Sequence, residues 1–422
     1  MSFSQKALDV FKKALDKIKK LLVIGDNADR THALGGGSAE IKALYELTPL
    51  MGLKMYLGGN CEVVYEPGYY NYVIGNAWGR ENSQNILSYN KMDEALNPFL
   101  PRQQRYIPEE KLEAINAEYL ERAKQACKDA DAVIFVGGLT HDQDVEDQDR
   151  KDYHLPCGQD HVISELLKVR PDMIVTLVGG SPVSTAVWSD QADTLLFSYY
   201  NGMEGGLAFA RTIFGEVSPS GKLPTSFPKV LSDCGAHSLD TFPGIDTVTY
   251  KEDVFVGYRH LDSSDIEPAF AFGHGLSYAE FKYSDMEVCD VTADMDTTTD
   301  ELIPRRSLVP IFDITCRVKN TSEVTAKESV QLYVAPSDPV TGQGQKRPVK
   351  ELRDFDKKQI AAGEECMYHF SLTPEAFCYY DETSHCYLAP KGTYDILLAS
   401  SSRDIRCVKQ VTLHKDYKIS RS

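Results

Sequence analysis

The chain has 422 residues, 42% of them hydrophobic, which is enough for two or three domains each with its own core. Its formal net charge is −17, which argues against nucleic acid or an anionic membrane surface as the main partner, because both need a basic face. No run of 18 apolar residues occurs, so no transmembrane helix is expected.

The first 20 residues, MSFSQKALDVFKKALDKIKK, lack an apolar signal core and read as an amphipathic, Lys-rich helix. Ten cysteines are scattered with no CxxC pair and no zinc-ligand spacing, so free thiols and a cytoplasmic location are expected. Next come five short, β-branched, nearly continuous apolar runs: LLVIGD (21–26), CEVVYE (61–66), AVIFVGG (132–138), MIVTLVGG (173–180) and TLLFSYY (194–200). Helical patterns stand between them at about 39–47, 109–130, 158–169 and 203–214. Strands covered on both faces and alternating with helices predict a mostly parallel α/β sandwich over 21–230. Residues 67–108, rich in Tyr, Asn and Gly, read as a long insertion. A turn-rich, aromatic connecting segment covers 231–280, with the boundary near 265–285. From 281 to 422 the runs alternate polar and apolar between turns, the pattern of a β-sandwich.

One stretch concentrates charge. HDQDVEDQDR (141–150) carries Asp142, Asp144, Glu146, Asp147 and Asp149 directly after a buried strand. In an open parallel sheet, ligands bind beyond the carboxyl ends of the strands. Like charges raise one another's pKa, and desolvation adds to this, so the loop suits one general acid among fixed carboxylates. Arg150 would hold a partner such as Asp149 or Asp152 ionised. From composition alone, a solvated acidic loop is the plainer reading. A calcium loop fits less well, because Asp147 and Tyr153 stand where its Gly and final Glu belong. GGGS (35–38) has neither a GxGxxG nor a GK[ST] context, so no nucleotide cofactor is implied. Glu204 reads as a carboxylate at a helix start. Tyr258 and Arg259 read as packing plus an ion pair, at the surface or across a domain interface. His141 and His274 are lone histidines without metal-ligand company, and the tyrosines of 65–72 suit aromatic packing or sugar stacking.

Taken in order, VIGDNA, GGGS, ADAVIFVGG, EDQDR, LPCGQ, GSPV, YYNGMEGG, GEVSPSGKLPTSFP, VGYRH and FGHGLSY resemble the C-terminal half of glycoside hydrolase family three. That family includes β-glucosidases, β-xylosidases and N-acetylglucosaminidases. VKNTSEVTAKESVQLYV, KRPVKELRDF and SSSRDIR resemble its fibronectin type III domain. The resemblance implies retaining hydrolysis by two carboxyl groups. The general acid/base sits in a pattern like E-G-x-D-R before L-P, matched here by Glu146, Asp149 and Arg150 before Leu155-Pro156. Glu146 is thus the candidate acid/base, with Asp149 and Arg150 bracing the loop by an ion pair. Asp144 and Asp147 are the alternatives. Gln143, Asp144 and His141 are candidate substrate contacts. Asp147 replaces the family's Gly, and Gln143 replaces a common aromatic residue.

The family's nucleophile belongs to a TIM barrel, and fewer than 25 residues precede the first strand here, against the roughly 200 or more such a barrel needs. Asp190, in AVWSDQAD, follows GSPV and matches a sandwich loop, not the nucleophile. The expectation is the acid/base-bearing part of a retaining β-glycosidase, most simply a β-glucosidase. It would act on terminal β-linked sugars with a barrel supplied in cis or in trans, and without metal or cofactor. The alternative is a non-catalytic carbohydrate- or partner-binding module of the same fold.

Overall fold

The computed structural model describes residues 18–420, apart from 34, 36–42, 72–108, 142, 145–148, 151, 245, 293–301, 341–343 and 345. The expected N-terminal helix, the bulk of the 67–108 insertion and Glu146 therefore lie outside the described residues. The chain divides into two compact units, Met1–Val217 and Ser218–Ser422.

The first unit is built on a five-stranded sheet. Its strands are β1 (Lys20–Ile24), β2 (Glu62–Glu66), β3 (Ala132–Gly138), β4 (Ile174–Val178) and β5 (Thr194–Phe197), in the order β2-β1-β3-β4-β5. All four pairings are parallel. Every residue of β3 and β4 is buried, because alternate side chains feed apolar clusters on opposite faces. Val133 and Phe135 join Ile163 and Leu166 on one side, while Ile134 and Val136 join Leu53 and Phe209 on the other. The four main helices are α1 (Pro49–Leu57), α2 (Glu109–Lys128), α3 (Gln159–Val169) and α4 (Gly205–Ile213).

Of the helix expected at 39–47, residues 39–42 lie outside the described residues. Residues 43–48 are not helical, and α1 begins at Pro49 with Thr48 as its cap, the hydroxyl accepting from the Met51 N–H at 3.1 Å. Thr-Pro is a stronger start signal than the apolar spacing before it: proline lacks the N–H that a first turn leaves unpaired, and threonine satisfies another.

The second unit is an antiparallel β-sandwich. One sheet has β6 (Phe281–Asp290), β7 (Phe312–Asn320) and β10 (Glu365–Leu372) in the order β10-β7-β6. The facing sheet runs β14-β13-β8-β9, from β8 (Ala326–Pro336), β9 (Glu351–Ile360), β13 (Gly392–Ala399) and β14 (Ile405–Leu413). A small sheet of β11 (Tyr379–Asp381), β12 (Cys386–Ala389) and β15 (Tyr417–Ile419) closes one end. Alternation along β7 sends Ile314, Cys316 and Val318 inward against Leu332, Ile396 and Leu398 of the other sheet.

The segment expected to connect two domains groups with this second unit. Leu223 N–H donates to the His274 carbonyl, Phe227 pairs with Phe270, and Gln331 donates to the Gly273 carbonyl at 3.0 Å. Arg259 forms an ion pair with Glu351 at 3.2 Å, and the Tyr258 hydroxyl accepts from the Leu352 N–H, both within the unit. The His274 ring lies 5.6 Å from that of Phe270, and burial lowers its pKa to about 4.

Candidate active site

The strand order makes β1 and β3 neighbours whose following connections run to opposite sides of the sheet. The crevice outside their carboxyl ends is where such sheets bind ligands. A glycine at φ +113° stands at the end of each, Gly25 directly after β1 and Gly138 as the last residue of β3. A Cβ on Gly25 would lie 2.1 Å from the Val136 carbonyl oxygen, and one on Gly138 would lie 2.0 Å from that of Val178. Only glycine allows the chain to leave the sheet so close to its neighbours.

The two departing loops are stitched together. Asn27 Nδ2 donates to the Leu139 carbonyl at 3.0 Å. Asp26 pairs with Arg30 and accepts from Asn71 Nδ2 at 2.8 Å. Asn71 in turn accepts from Gln143 Nε2 at 3.1 Å, while Gln143 Oε1 accepts from the backbone N–H and hydroxyl of Thr140. The Gln159 side chain accepts from the Gly138 N–H and donates to the Gly138 carbonyl, so the LPCGQ motif serves the end of β3.

The acidic loop is pinned at two points on either side of residues 145–148. Before them, Asp144 accepts from the Gly180 N–H at 2.5 Å and the Tyr200 hydroxyl at 2.8 Å through one oxygen, and from Ser181 Oγ at 3.2 Å through the other. After them, Arg150 Nη2 donates to the Pro182 carbonyl at 2.7 Å and to Ser181 Oγ at 3.2 Å. Burial lowers the Arg150 pKa, and the Asp144 charge opposes that shift. Burial and Asp144 together raise the Tyr200 hydroxyl well above the ordinary tyrosine value, which keeps it a donor.

These contacts change the expected role of one pair. Asp149 is exposed, and among the described residues Arg150 bonds to Ser181 and Pro182 and not to Asp149. The guanidinium turns toward the β4 loop instead, where the Pro182 carbonyl and the Ser181 hydroxyl accept from Nη2 in place of water. With both oxygens accepting, Asp144 works as an anchor for the loop. Gln143 uses its amide to hold the turn.

His141 stands beside the anchor, its ring 6.0 Å from that of Tyr200 and 6.5 Å from that of His32. His32 is buried, lies 3.1 Å from the Asn27 carbonyl through Nε2, and has its pKa lowered to about 3 by that burial. The carbonyl accepts, so the neutral ring carries its proton on Nε2.

The sequence reading named His141, Gln143, Asp144 and Arg150, and the structure brings all four to this edge of the sheet. It missed Asp26, His32, Asn71, Ser181 and Tyr200. Ser181 and Tyr200 lie in the noted segments GSPV and YYNGMEGG, so the segments were visible but the contact each makes was not. Glu204 stands at the N-cap position of α4, but its carboxylate makes no cap bond and accepts from the Tyr45 hydroxyl instead. Tyr69 is buried with its ring 6.2 Å from Phe135. Among the described residues no group of His, Cys, Asp and Glu is arranged to hold a metal, and no helix is long and apolar enough to cross a membrane.

The family model for the glycosyl hydrolase family 3 C-terminal domain matches residues 15–278, well over half of the chain. The chain belongs to glycosyl hydrolase family 3. A fibronectin type III-like model matches residues 328–402 within the second unit. Among relatives in this family, the chain is 36% identical over 396 residues to beta-glucosidase BoGH3A of Bacteroides ovatus, covering 92% of this chain and 46% of that protein. It is 36% identical over 308 residues to thermostable beta-glucosidase B of Acetivibrio thermocellus, covering 73% of this chain and 38% of that protein. The crystal structure of a Bifidobacterium adolescentis GH3 beta-glucosidase matches 97% of this chain and 52% of its own, at 29% identity and a TM-score of 0.74. The chain thus spans about half the length of the family 3 relatives it matches.

Proposed function

We propose that this chain is the acid/base-bearing part of a retaining β-glucosidase, with Glu146 as the residue that protonates the leaving-group oxygen and then activates water. The observation that carries the reading is the pinned acidic loop. Asp144 and Arg150 fix it on both sides of position 146, at the carboxyl edge of the sheet beside the β1/β3 crevice. A general acid has to be held within hydrogen-bond reach of one glycosidic oxygen, so a loop that carries it needs such anchors. The match of Glu146, Asp149 and Arg150 to the family pattern and the beta-glucosidase names of the relatives support the same reading.

The nucleophilic carboxylate and the grip on the non-reducing sugar come from a TIM-barrel domain outside this chain. Departure of the aglycone is protonated from the loop, a glycosyl-enzyme forms on the barrel, and Glu146 then deprotonates the water that hydrolyses it. In the assembled enzyme, Glu146→Ala is expected to slow turnover of alkyl glycosides with poor leaving groups by about 10²–10⁴-fold. With aryl glycosides whose phenols need no protonation, azide should restore turnover and yield the β-glycosyl azide. Unchanged rates on alkyl glycosides, or no azide product, would remove Glu146 from this role.

A further inference from the structure

The second unit carries a surface that its own fold leaves uncovered. Between the short helical turns Gly235–Ser238 and Tyr258–Ser263, the described residues of 239–256, all but 245, form no strand and no helix. Six of the 21 large apolar side chains exposed among the described residues fall here: Leu239, Phe242, Val248, Tyr250, Val254 and Val256. Tyr250 is 79% exposed and Val256 62%. Elsewhere in the sandwich such residues stand singly, as Phe355 on β9 and Val408 on β14 do, and need no explanation. A concentration in one segment marks an interaction site. The segment is also weakly tied. Among the described residues, its backbone hydrogen bonds close locally, as from Asp253 to Tyr250, Phe255 to Glu252 and Thr241 to Ala236. A long irregular stretch with an apolar surface and only local bonds is unusual in a finished domain.

We infer that residues 239–256 are the docking strip for the domain that makes up the remainder of the family 3 relatives. The relatives extend well beyond the matched region, since this chain covers 46% of BoGH3A and 52% of the Bifidobacterium enzyme. The strip lies inside the stretch matched by a model of a C-terminal domain, one that in those proteins accompanies another part of the chain. A partner of that size supplies the apolar area that six side chains of this kind require. The inference rests on the proposed function, which calls for such a domain, and adds where it sits.

The test compares this chain alone with the same chain joined to the part of BoGH3A it does not match, by amide hydrogen exchange. In the joined protein the amides of 239–256 are expected to exchange about tenfold or more slowly than in the chain alone. The double substitution Tyr250→Ser/Val256→Ser should remove that protection and lower glucosidase turnover. Both side chains are exposed, so the unfolding of the chain alone should not change. Phe355→Ser/Val408→Ser, on equally exposed but isolated positions, should change neither readout. Turnover by the joined protein with no protection of 239–256 would overturn the docking strip and leave the proposed function standing. A joined protein with neither turnover nor protection would overturn both.

Discussion

The Asp144 anchor predicts a measurable coupling with Tyr200. Tyr200→Phe deletes one donor to a carboxylate at 2.8 Å and leaves the ring in place. Hydrogen bonds to charged groups contribute about 1.5–3 kcal/mol, and partial exposure of this edge places the expected loss at ~1–2 kcal/mol. Asp144→Ala strips the acceptor from Gly180, Ser181 and Tyr200 at once. Each buried donor left unpaired costs about 1–3 kcal/mol, and access to water at the loop holds the sum near ~3 kcal/mol. Because the two substitutions break the same bond, the double variant should be about 1 kcal/mol more stable than additivity gives. Urea unfolding followed by tryptophan emission suits the assay. Both tryptophans, Trp78 and Trp188, precede residue 217, and Trp188 is fully buried in the first unit's core. Additivity within about 0.3 kcal/mol, at unchanged m-values, would refute the anchor.

Burial of His32 gives the first unit a pH dependence. Its folded pKa, about 3, lies below the unfolded value near 6.5, so the unfolded chain takes up the proton. Stability is full above about pH 6.5 and falls as pH drops toward 3, by ~2 kcal/mol between about pH 7.5 and pH 5. His32→Asn should flatten that slope in tryptophan-monitored unfolding, and an unchanged slope would contradict the assignment. Gly138→Ala should leave the first unit unfolded or destabilised by more than ~3 kcal/mol, since the methyl group meets the Val178 carbonyl at a strained φ; calorimetry would show the loss of one transition. In the second unit, Asp262 pairs with Lys350 at 2.6 Å and Arg403 at 2.5 Å while almost fully buried. Asp262→Ala should cost ~2–4 kcal/mol in the transition that leaves tryptophan emission unchanged, because it takes the buried carboxylate from Lys350, while Arg403 keeps Glu267 and the Leu261 and Ile266 carbonyls.

The fold was legible where one physical signal dominated. The five apolar runs of the first unit became the five strands within a residue or three at each end, because burial on both faces forces continuous hydrophobicity. The alternation of β7 and β10 was equally plain. The start of α1 lies in the Thr48-Pro49 pair, a cap followed by a residue without an N–H, which apolar spacing alone does not signal. The site was legible only by segment. A run of carboxylates announces a charged loop but not which carboxylate accepts from Gly180, since that depends on β4 and β5 lying beside β3. Arg150 illustrates the same limit. Its neighbour in sequence, Asp149, was the obvious partner, whereas the backbone of the 180–182 loop is nearer in space. His32 gave no signal because burial of a lone polar ring is a property of the packed fold.

Release of nitrophenol from an aryl β-glucoside tests the central claim most directly, measured for the chain alone and again when joined to the unmatched part of BoGH3A. The account predicts no turnover by the chain alone, turnover on joining, and, in Glu146→Ala of the joined protein, nitrophenol release that azide speeds up. Turnover by the chain alone that disappears when a second of its own carboxylates is replaced would mean that the nucleophile resides within these 422 residues, and the account would be wrong.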